Sequence, residues 1–240
     1  MTYLRALLFN LVMWALAGVF GLLALFTFPL PLLERYRIIS GWARLVTRWL
    51  ALTCNLRHQV RGLENIPRGE PLVILSKHQS AWETIAFQVI LPPHVWVLKR
   101  ELLRIPFFGW GLAMLKPVAI DRAAGKKALR QVVEQGRARL KEDGISVLVF
   151  PEGTRMKAGE KGSYHIGGAW LAVQTGTRVL PVAHNAGEFW PRGAFCKRPG
   201  VISVSIGAPI DPAGMKADEL NRRVESWIED EMARLPRPAQ

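Results

Sequence analysis

The chain has 240 residues, of which 50% are hydrophobic and 21% charged, so it is long enough for one sizeable domain and a short additional segment rather than for several domains. Lys and Arg number 32 against 19 Asp and Glu, and the formal charge of +13 favours an anionic partner: nucleic acid, an anionic membrane, or a phosphorylated or acidic substrate. Two cysteines, Cys54 and Cys196, occur without a CxxC pair, which argues against a disulfide framework and fits a reducing compartment.

The amino-terminal segment predicts an association with a membrane. No charged residue occurs between Arg5 and Glu34, and this apolar run exceeds the roughly 20 residues that a membrane-spanning helix needs. A cleaved signal peptide is the alternative. Its apolar region is usually only about 7 to 15 residues long and is followed by a small-residue cleavage site, and no such site closes this run. We therefore predict a membrane protein.

The segment that follows, residues 35–55, has the pattern of a basic amphipathic helix. Its apolar and basic residues would lie on different faces: Ile38, Trp42, Leu45, Val46 and Trp49 on one, and Arg37, Arg44 and Arg48 on another. An ordinary surface helix packed on the domain would show the same pattern. Two tryptophans shortly after an apolar helix favour a position at the lipid headgroups instead.

The two segments together predict a membrane-associated helical pair over residues 1–56. Pro29 and Pro31 would break the first helix near its end and permit a turn, so we favour a pair inserted from one side over a full span. Arginines cluster after the apolar run, whereas Arg5 alone precedes it. This charge bias places the rest of the chain in the cytoplasm.

Residues 57–240 predict one α/β domain, because short β-branched runs alternate with helical patterns and no linker interrupts them. We expect a mostly parallel mixed sheet of about seven strands flanked by helices. The predicted strands cover residues 56–62, 71–75, 95–99, 117–120, 146–150, 178–183 and 202–207. Helices are predicted to start near Ser80 and to cover 123–142, 165–175 and 216–233.

Several polar residues come just after the predicted strands. They are His78, Lys99, Asp121 with Arg122, Glu152 with Arg155, and His184 with Asn185. If most strands are parallel, their carboxyl ends meet at one edge of the sheet, which is where open α/β folds bind their ligands. We therefore expect these side chains to converge on one site.

The stretch LSKHQSAWET, residues 75–84, raises the question of catalysis. Ser80 and Glu83 have the spacing of a capping box, which explains both residues as the start of a helix. In a regular helix, residues five positions apart lie about 140° from each other and could not meet. If the helix starts at Ser80, however, His78 lies before it and Glu83 can point back at the imidazole, as an orienting acid does for a catalytic base. Taken alone, a histidine in a loop is more often structural.

Other catalytic patterns are missing from the sequence. It has no GxSxG elbow, no HExxH or similar metal spacing, and no GxGxxG or GxxxxGK[ST] loop. Neither cysteine has a plausible base nearby in sequence. We therefore expect neither a covalent nucleophile nor a metal site, and no organic cofactor.

Five blocks give the chain a family resemblance. In order, they are His78 with Glu83, KRELLRIPFFGWG (99–111), AIDR (119–122), FPEGTR (150–155) and LPVAHNAG (180–187). Their order and spacing over residues 60–190 resemble the glycerophospholipid acyltransferase family, and within it the bacterial enzymes that acylate lysophosphatidic acid. FPEGTR after an apolar strand is the most specific of the blocks.

The resemblance implies roles for individual residues. His78 would be the general base that deprotonates the acceptor hydroxyl, and Glu83 would orient it, although the usual residue there is aspartate. Arg155 and Lys99 would bind the acceptor's phosphate, through paired donors and a point charge respectively. The rest of the implied phosphate-binding set is Glu152, Gly153, Thr154 and Arg122, and Arg122 would either assist in binding the phosphate or brace the loop. We favour a structural role for His184 and Asn185, because one catalytic histidine suffices.

The implied reaction transfers a fatty acyl group from acyl-CoA or acyl carrier protein to the sn-2 hydroxyl of 1-acyl-sn-glycerol-3-phosphate (lysophosphatidic acid) and gives phosphatidic acid. With no nucleophile in view, the transfer would be direct, and backbone N–H groups at the helix start after His78 would hold the oxyanion. The enzyme would lie at the bacterial inner membrane, face the cytoplasm and bind anionic lipid but no nucleic acid. Two alternatives stay open: another lysolipid acceptor, and a basic membrane-binding module without catalysis.

Overall fold

The computed structural model describes residues 2–121 and 124–237, with a seven-stranded sheet at the centre. The strands are β1 Leu56–Arg61, β2 Val73–Ser76, β3 His94–Lys99, β4 Val118–Ile120, β5 Ser146–Val149, β6 Val179–His184 and β7 Gly200–Ile206. The helices are α1 Thr2–Phe26, α2 Leu32–Ile39, α3 Gly41–Cys54, α4 Trp82–Ile90, α5 Phe108–Met114, α6 Lys126–Arg137, α7 Gly167–Thr175, α8 Ala186–Phe189 and α9 Ala217–Arg234.

The sheet is mixed and mostly parallel. Its order is β1-β7-β6-β2-β5-β3-β4, and the five strands from β6 to β4 run in the same direction. Strand β7 pairs antiparallel with β6 and parallel with β1. Every residue of β2, β5 and β6 is buried, as is usual for parallel strands that are covered on both faces. The predicted fold class and the seven predicted strands are confirmed.

The predicted helices are present, with differences in extent. The helix predicted over 123–142 is regular from Lys126 and widens into a π-helical segment at Ala138–Glu142. Residues 122 and 123 lie outside the described part of the chain. Helices α5 and α8 are absent from the sequence prediction, because elements of seven and four residues are too short to show a helical period.

The predicted amphipathic helix is in fact two helices, α2 and α3, which meet at Ser40. The Ser40 N–H still donates to the Tyr36 carbonyl at 2.8 Å, and Gly41 follows it. Adjacent Ser and Gly residues are a common place for a helix to bend. Gly41 also allows α1 to come close, because a Cβ there would lie 3.2 Å from the Phe20 ring. The amino-terminal part therefore has three helices instead of the predicted pair.

The buried face of α3 shares Val46 with the predicted apolar face and departs from it at Leu45. Its buried residues are Ala43, Val46, Leu50 and Cys54. They recur at three- or four-residue spacing, so they form one stripe, and the helix packs against α4 and β1. Leu45, which was predicted on the apolar face, is 43% exposed. Helix α3 thus packs on the domain with one side and leaves apolar side chains on its outer side.

Helix α1 lies against α3 and α5 and joins the hydrophobic core of the sheet through Phe9 and Ala24. At Gly21 it touches the loop before α5, because a Cβ there would collide with the Phe107 carbonyl oxygen. Phe107 has φ 60° and ψ −60° at the centre of a γ-turn, in which the Phe108 N–H donates to the Pro106 carbonyl. Helices and sheet share one core, and the domain limit between residues 56 and 57 stays a prediction.

Candidate active site

The carboxyl ends of the parallel strands form one edge of the sheet. Strand β2 lies inside the sheet, with β6 on one side and β5 and then β3 on the other. His78 follows β2, Arg155 follows β5, and Lys99 ends β3. The three residues therefore leave adjacent strands at the same edge, as predicted from the parallel arrangement.

His78 and Glu83 form a hydrogen-bonded pair. Nδ1 of His78 lies 2.8 Å from Oε1 of Glu83, whose side chain is fully buried. The same oxygen accepts the backbone N–H groups of Gln79 and Ser80, at 2.8 and 2.7 Å. Helix α4 begins at Trp82, whose N–H donates to the Ser80 hydroxyl oxygen at 3.1 Å. The capping interactions and the histidine contact therefore coexist, as the spacing predicts.

The charge of Glu83 is stabilised inside the protein. Burial alone would raise the pKa of its carboxyl group. The nearby imidazoles of His184 and His78 lower the pKa by more than burial raises it, so the pKa lies below the ordinary value. His184 donates from Nε2 to the Lys77 carbonyl at 2.9 Å and accepts the Ala186 N–H at Nδ1, so this ring is neutral. The direct hydrogen bonds to the carboxylate therefore come from His78 and the main chain.

His78 is fixed by its ring and by its backbone. The ring stacks on Phe150, with centroids 3.9 Å apart and planes at 13°. The backbone N–H donates to Oε2 of Glu152 at 3.1 Å, and the carbonyl oxygen accepts the Met156 N–H at 2.8 Å. Because Nδ1 donates to Glu83, Nε2 carries the lone pair, and it has no hydrogen-bond partner within residues 2–121 and 124–237. Nε2 is therefore free to accept a proton.

Glu152, which the resemblance places in the phosphate-binding set, contacts protein groups in this structure. Its Oε1 accepts from Nζ of Lys77 at 2.7 Å and from the Gly162 N–H at 3.1 Å, while Oε2 accepts from His78. The side chain is fully buried. Because a carboxylate repels a phosphate, these contacts favour a role in fixing the loop over a direct contact with the substrate.

Arg155 has an unused donor in the FPEGTR loop. The side chain is half-buried, and its Nε is buried without a hydrogen-bond partner in the described part of the chain. Buried donors are rarely left unpaired, so an anionic acceptor is expected to complete this site.

The other members of the predicted phosphate-binding set are solvent-accessible or lie outside the described residues. Thr154 is exposed, and its hydroxyl lies 3.4 Å from Nη1 of Arg192. Gly153 adopts a φ of 67°, a conformation that favours glycine. Lys99 is exposed at the end of β3. Arg122 lies outside the described residues.

The backbone N–H groups around His78 are already occupied. The four in question belong to His78, Gln79, Ser80 and Trp82. Each donates to a side-chain oxygen of the protein. The expectation that the helix start would offer such groups to an oxyanion is therefore wrong for these four.

The other buried histidines have structural contacts. Both ring nitrogens of His184 bond to the backbone, and the adjacent Asn185 accepts the Ser203 N–H at 2.8 Å, as the predicted structural role requires. Burial lowers the pKa of His94 to about 4, so that ring is neutral. No group of three or more His, Cys, Asp or Glu side chains among residues 2–121 and 124–237 is arranged to hold a metal ion.

Lys77 is a residue of this site that the sequence interpretation missed. Its side chain is 1% exposed and pairs with Glu152 and Glu229, whereas lysines are almost never fully buried unless they are paired. A lysine between a strand and a loop is typical of a solvated position. The signal that could have revealed it is its place directly before His78.

Comparisons with known proteins decide the family. The family model described as Acyltransferase matches residues 57–185, which is more than half of the chain. This chain belongs to the acyltransferase family. The 1-acyl-sn-glycerol-3-phosphate acyltransferase of Pseudomonas aeruginosa is 47% identical over 237 residues, which cover 97% of this chain and 91% of that protein.

The chain is also similar to a plant protein and to a solved structure. The chloroplastic 1-acyl-sn-glycerol-3-phosphate acyltransferase LPAT1 of Arabidopsis thaliana is 32% identical over 179 residues, or 72% of this chain and 48% of that protein. The crystal structure of PlsC, the 1-acyl-sn-glycerophosphate (LPA) acyltransferase from Thermotoga maritima, superimposes with a TM-score of 0.82. Its sequence is 25% identical, and the match covers 100% of this chain and 98% of that one.

The matched region of this acyltransferase includes every site residue that the sequence predicts. Residues 57–185 run from β1 to the residue that follows β6. Helices α1 to α3, strand β7 and helix α9 lie outside that region, yet they pack into the same core. Helix α9 also contributes Glu229, which pairs with Lys77 at 2.9 Å.

Helix α1 suggests that the acyltransferase associates with a membrane. Its residues Tyr3–Phe26 are long and apolar enough to cross a membrane, with a mean hydropathy of 2.2. Only 22% of its most apolar stretch is buried, so the rest of the protein leaves most of this apolar surface exposed. Trp14 and Phe26, at 62% and 81% exposure, are among its large exposed side chains. The core helix of a soluble protein would be mostly buried.

Proposed function

We propose that this acyltransferase moves a fatty acyl group from the thioester of acyl-CoA or acyl carrier protein to the sn-2 hydroxyl of 1-acyl-sn-glycerol-3-phosphate. The products are phosphatidic acid and the free thiol of the carrier. The observation that carries the proposal is the His78–Glu83 pair, in which Nε2 of His78 is free to accept a proton at the edge that also holds Arg155. The names of the bacterial and plant relatives support the choice of acceptor.

His78 acts as the general base in this proposal. Nε2 takes the proton of the sn-2 hydroxyl while that oxygen attacks the thioester carbonyl carbon, and a tetrahedral oxyanion forms. When the oxyanion collapses, the carbon–sulfur bond breaks and the thiolate takes the proton from the imidazolium. Glu83 stabilises the positive charge on the ring between these two steps, across the 2.8 Å contact to Nδ1.

Arg155 and Lys99 bind the acceptor phosphate in this proposal. The Nε of Arg155, which has no hydrogen-bond partner among the described residues, and the exposed ammonium of Lys99 leave adjacent strands, β5 and β3. Guanidinium donors pair with phosphate oxygens, and the ammonium adds a point charge. Because the acceptor is a lipid, the edge lies at the membrane surface, and we place it on the cytoplasmic face of the bacterial inner membrane.

The test is an assay of the purified full-length protein in detergent micelles. It is incubated with radiolabelled lysophosphatidic acid, lysophosphatidylcholine or monoacylglycerol, each with acyl-CoA and with acylated acyl carrier protein as donor. We expect labelled product from lysophosphatidic acid, and none from the acceptors that lack a phosphate monoester. Equal use of the three acceptors would contradict the phosphate assignment, and no product with any acceptor would favour a membrane-binding module without catalysis.

A further inference from the structure

A buried ion-pair network connects helix α9 to the loop that carries His78. The ammonium of Lys77 donates to Oε1 of Glu152 at 2.7 Å, to Oε1 of Glu229 at 2.9 Å and to the Glu160 carbonyl at 3.1 Å. An ammonium has three N–H donors, so all of them are used. The side chains of Lys77 and Glu152 are 1% and 0% exposed, and that of Glu229 is 22% exposed.

Glu229 belongs to α9 and lies outside the region that the family model matches, residues 57–185. Its Oε1 also accepts the hydroxyl of Tyr164 at 2.8 Å. Burial and this hydrogen bond raise the pKa of Tyr164, so the phenol stays protonated and donates. Asn221, two turns earlier on α9, donates to the Tyr164 carbonyl at 3.0 Å. Helix α9 thus holds the loop after β5 through two hydrogen bonds to Tyr164.

The network ends at the backbone of His78. Glu152 accepts the His78 N–H through Oε2, while its Oε1 accepts from Lys77. The ring of His78 must keep its place between Glu83, at 2.8 Å, and Phe150, whose centroid is 3.9 Å away. A shift of the Glu152 carboxylate therefore moves the base away from its partners.

A stabilising role alone does not account for this arrangement. Buried ion pairs often contribute little net free energy of unfolding, because the cost of desolvation offsets the attraction between the charges. Their better-attested use is to fix one arrangement of a structure among several. Here the arrangement that is fixed includes the backbone of the proposed general base, one residue after Lys77.

We propose that Glu229, acting through Lys77 and Glu152, is a positioning residue for His78. The inference rests on the proposed function, in which His78 is the general base. Glu229 acts on the rate of proton transfer and leaves the binding of both substrates unchanged. A helix beyond the matched region is therefore part of the apparatus that orients the base.

The test compares two substitutions on the same helix. Glu229→Gln removes the charge that pairs with Lys77, and Glu225→Gln, one turn earlier, removes the partner of the exposed Lys161 at 2.8 Å. In the full-length protein we expect Glu229→Gln to lower kcat about tenfold, because small displacements of a catalytic group have large effects on rate. The KM values for donor and acceptor stay unchanged, and Glu225→Gln behaves like the wild type. An unchanged kcat for Glu229→Gln, or a loss equal to that of Glu225→Gln, would overturn the proposal.

Testing Glu229→Gln in a protein that already lacks His78 separates a positioning role from general destabilisation. In a His78→Ala protein, assayed with radiolabelled acceptor over long incubations, Glu229→Gln should cause no additional loss, because the residue that it positions is gone. A purely structural Glu229 would lower this residual rate and the thermal midpoint as well. If His78→Ala keeps wild-type activity, the proposed function fails in its choice of base. If His78→Ala is inactive while Glu229→Gln is unaffected, this inference alone fails.

Discussion

At the scale of single residues, one oxygen of Glu83 both orients the proposed general base and binds the backbone before α4. Oε1 accepts from His78 and from two backbone N–H groups, while Oε2 is buried without a hydrogen-bond partner in the described ranges, 2–121 and 124–237. A substitution that removes the side chain therefore frees the imidazole and also takes the acceptor away from the Gln79 and Ser80 N–H groups before α4. A substitution that keeps its shape isolates the effect of the charge.

His78→Ala should lower kcat by about 10² to 10⁴, because the proton transfer loses its base. Glu83→Gln should cost less, since the amide oxygen can still accept from Nδ1 but no longer stabilises the imidazolium. Glu83→Asp should cost least, because only the reach of the carboxylate changes. Initial rates with lysophosphatidic acid check the order, and circular dichroism checks that each variant is folded. Wild-type rates for His78→Ala would refute the assignment.

Arg155→Ala should raise the KM for the acceptor and leave the KM for the donor unchanged. A hydrogen bond to a charged group contributes about 1.5–3 kcal/mol, which corresponds to about a 10- to 150-fold increase in KM. Arg178→Ala is the matched control, because Arg178 precedes β6 at the opposite edge of the sheet and pairs there with Glu70. Saturation curves for both substrates measure the effect. Equal acceptor KM values for the two variants would show that Arg155 does not bind the phosphate.

At the scale of elements, α1 is attached to the domain near both of its ends. Near its carboxyl end, Gly21 touches the backbone of Phe107. Near its amino end, the ammonium of Lys197 lies 4.7 Å from the centroid of the Phe9 ring and 3.0 Å from Oδ1 of Asn10. The first contact depends on the absence of a side chain, and the second on a buried cation among aromatic rings.

Gly21→Leu should weaken the attachment of α1, because its side chain would force α1 and the Phe107 loop apart. Overpacking of this kind costs about 1–3 kcal/mol. Gly18→Leu adds the same side chain to the same helix at a position where a Cβ would meet nothing within 4 Å in the part of the chain that the structure describes. Thermal midpoints in detergent measure both, and we expect a lower midpoint for Gly21→Leu alone. Equal midpoints would contradict the close contact at Gly21.

Lys197 should make stability depend on pH. Burial lowers its pKa from 10.5 to about 8, so the folded protein releases this proton at a lower pH than the unfolded chain does. Between pH 8 and 10.5 the unfolded chain therefore binds more protons, and the free energy of unfolding contributed by this group rises with pH. Lys197→Met should remove that rise. Thermal midpoints of the wild type and of Lys197→Met, measured from below to above pH 8, test this prediction. The same dependence of the midpoint on pH in both proteins would contradict it.

At the scale of the whole molecule, the contacts of α1 favour insertion from one side of the membrane. Phe9 packs edge-on against Trp190 with centroids 5.4 Å apart, and Gly21 meets the Phe107 loop, so both ends of the helix touch the same domain. A helix that crossed the bilayer would carry one end away from that domain. The contacts support the one-sided arrangement expected from Pro29 and Pro31.

A tag placed before Tyr3 should therefore be protected when intact spheroplasts are treated with protease. Protection follows because both ends of α1 would lie on the cytoplasmic side with the domain. Immunoblotting of the tag measures its survival, and a periplasmic marker protein shows that the protease is active. Cleavage of the tag from outside would establish a full span.

Local sequence patterns predict the strands and the His78–Glu83 contact, because both depend on residues close together along the chain. Buried runs such as β2 and β5 show their type by composition alone. The pairing of Lys77 with Glu229 joins residues 152 positions apart, and no periodicity reveals it. The break at Ser40 also escapes prediction, because the apolar and basic pattern continues through it.

Strand β1 lies at one edge of the sheet and pairs with β7, so it cannot pair until β7 has been synthesised. Gln59 and Ser203, which face each other there, are 144 positions apart. At about 5–20 residues per second, a ribosome needs roughly 7 to 30 s to make the partner of a strand that has already emerged. During that delay α1 has left the ribosome and can enter the lipid. We therefore expect the nascent chain to be tethered to the bilayer while β1 is still unpaired. The pairing of β1 with β7 would then take place at the membrane surface.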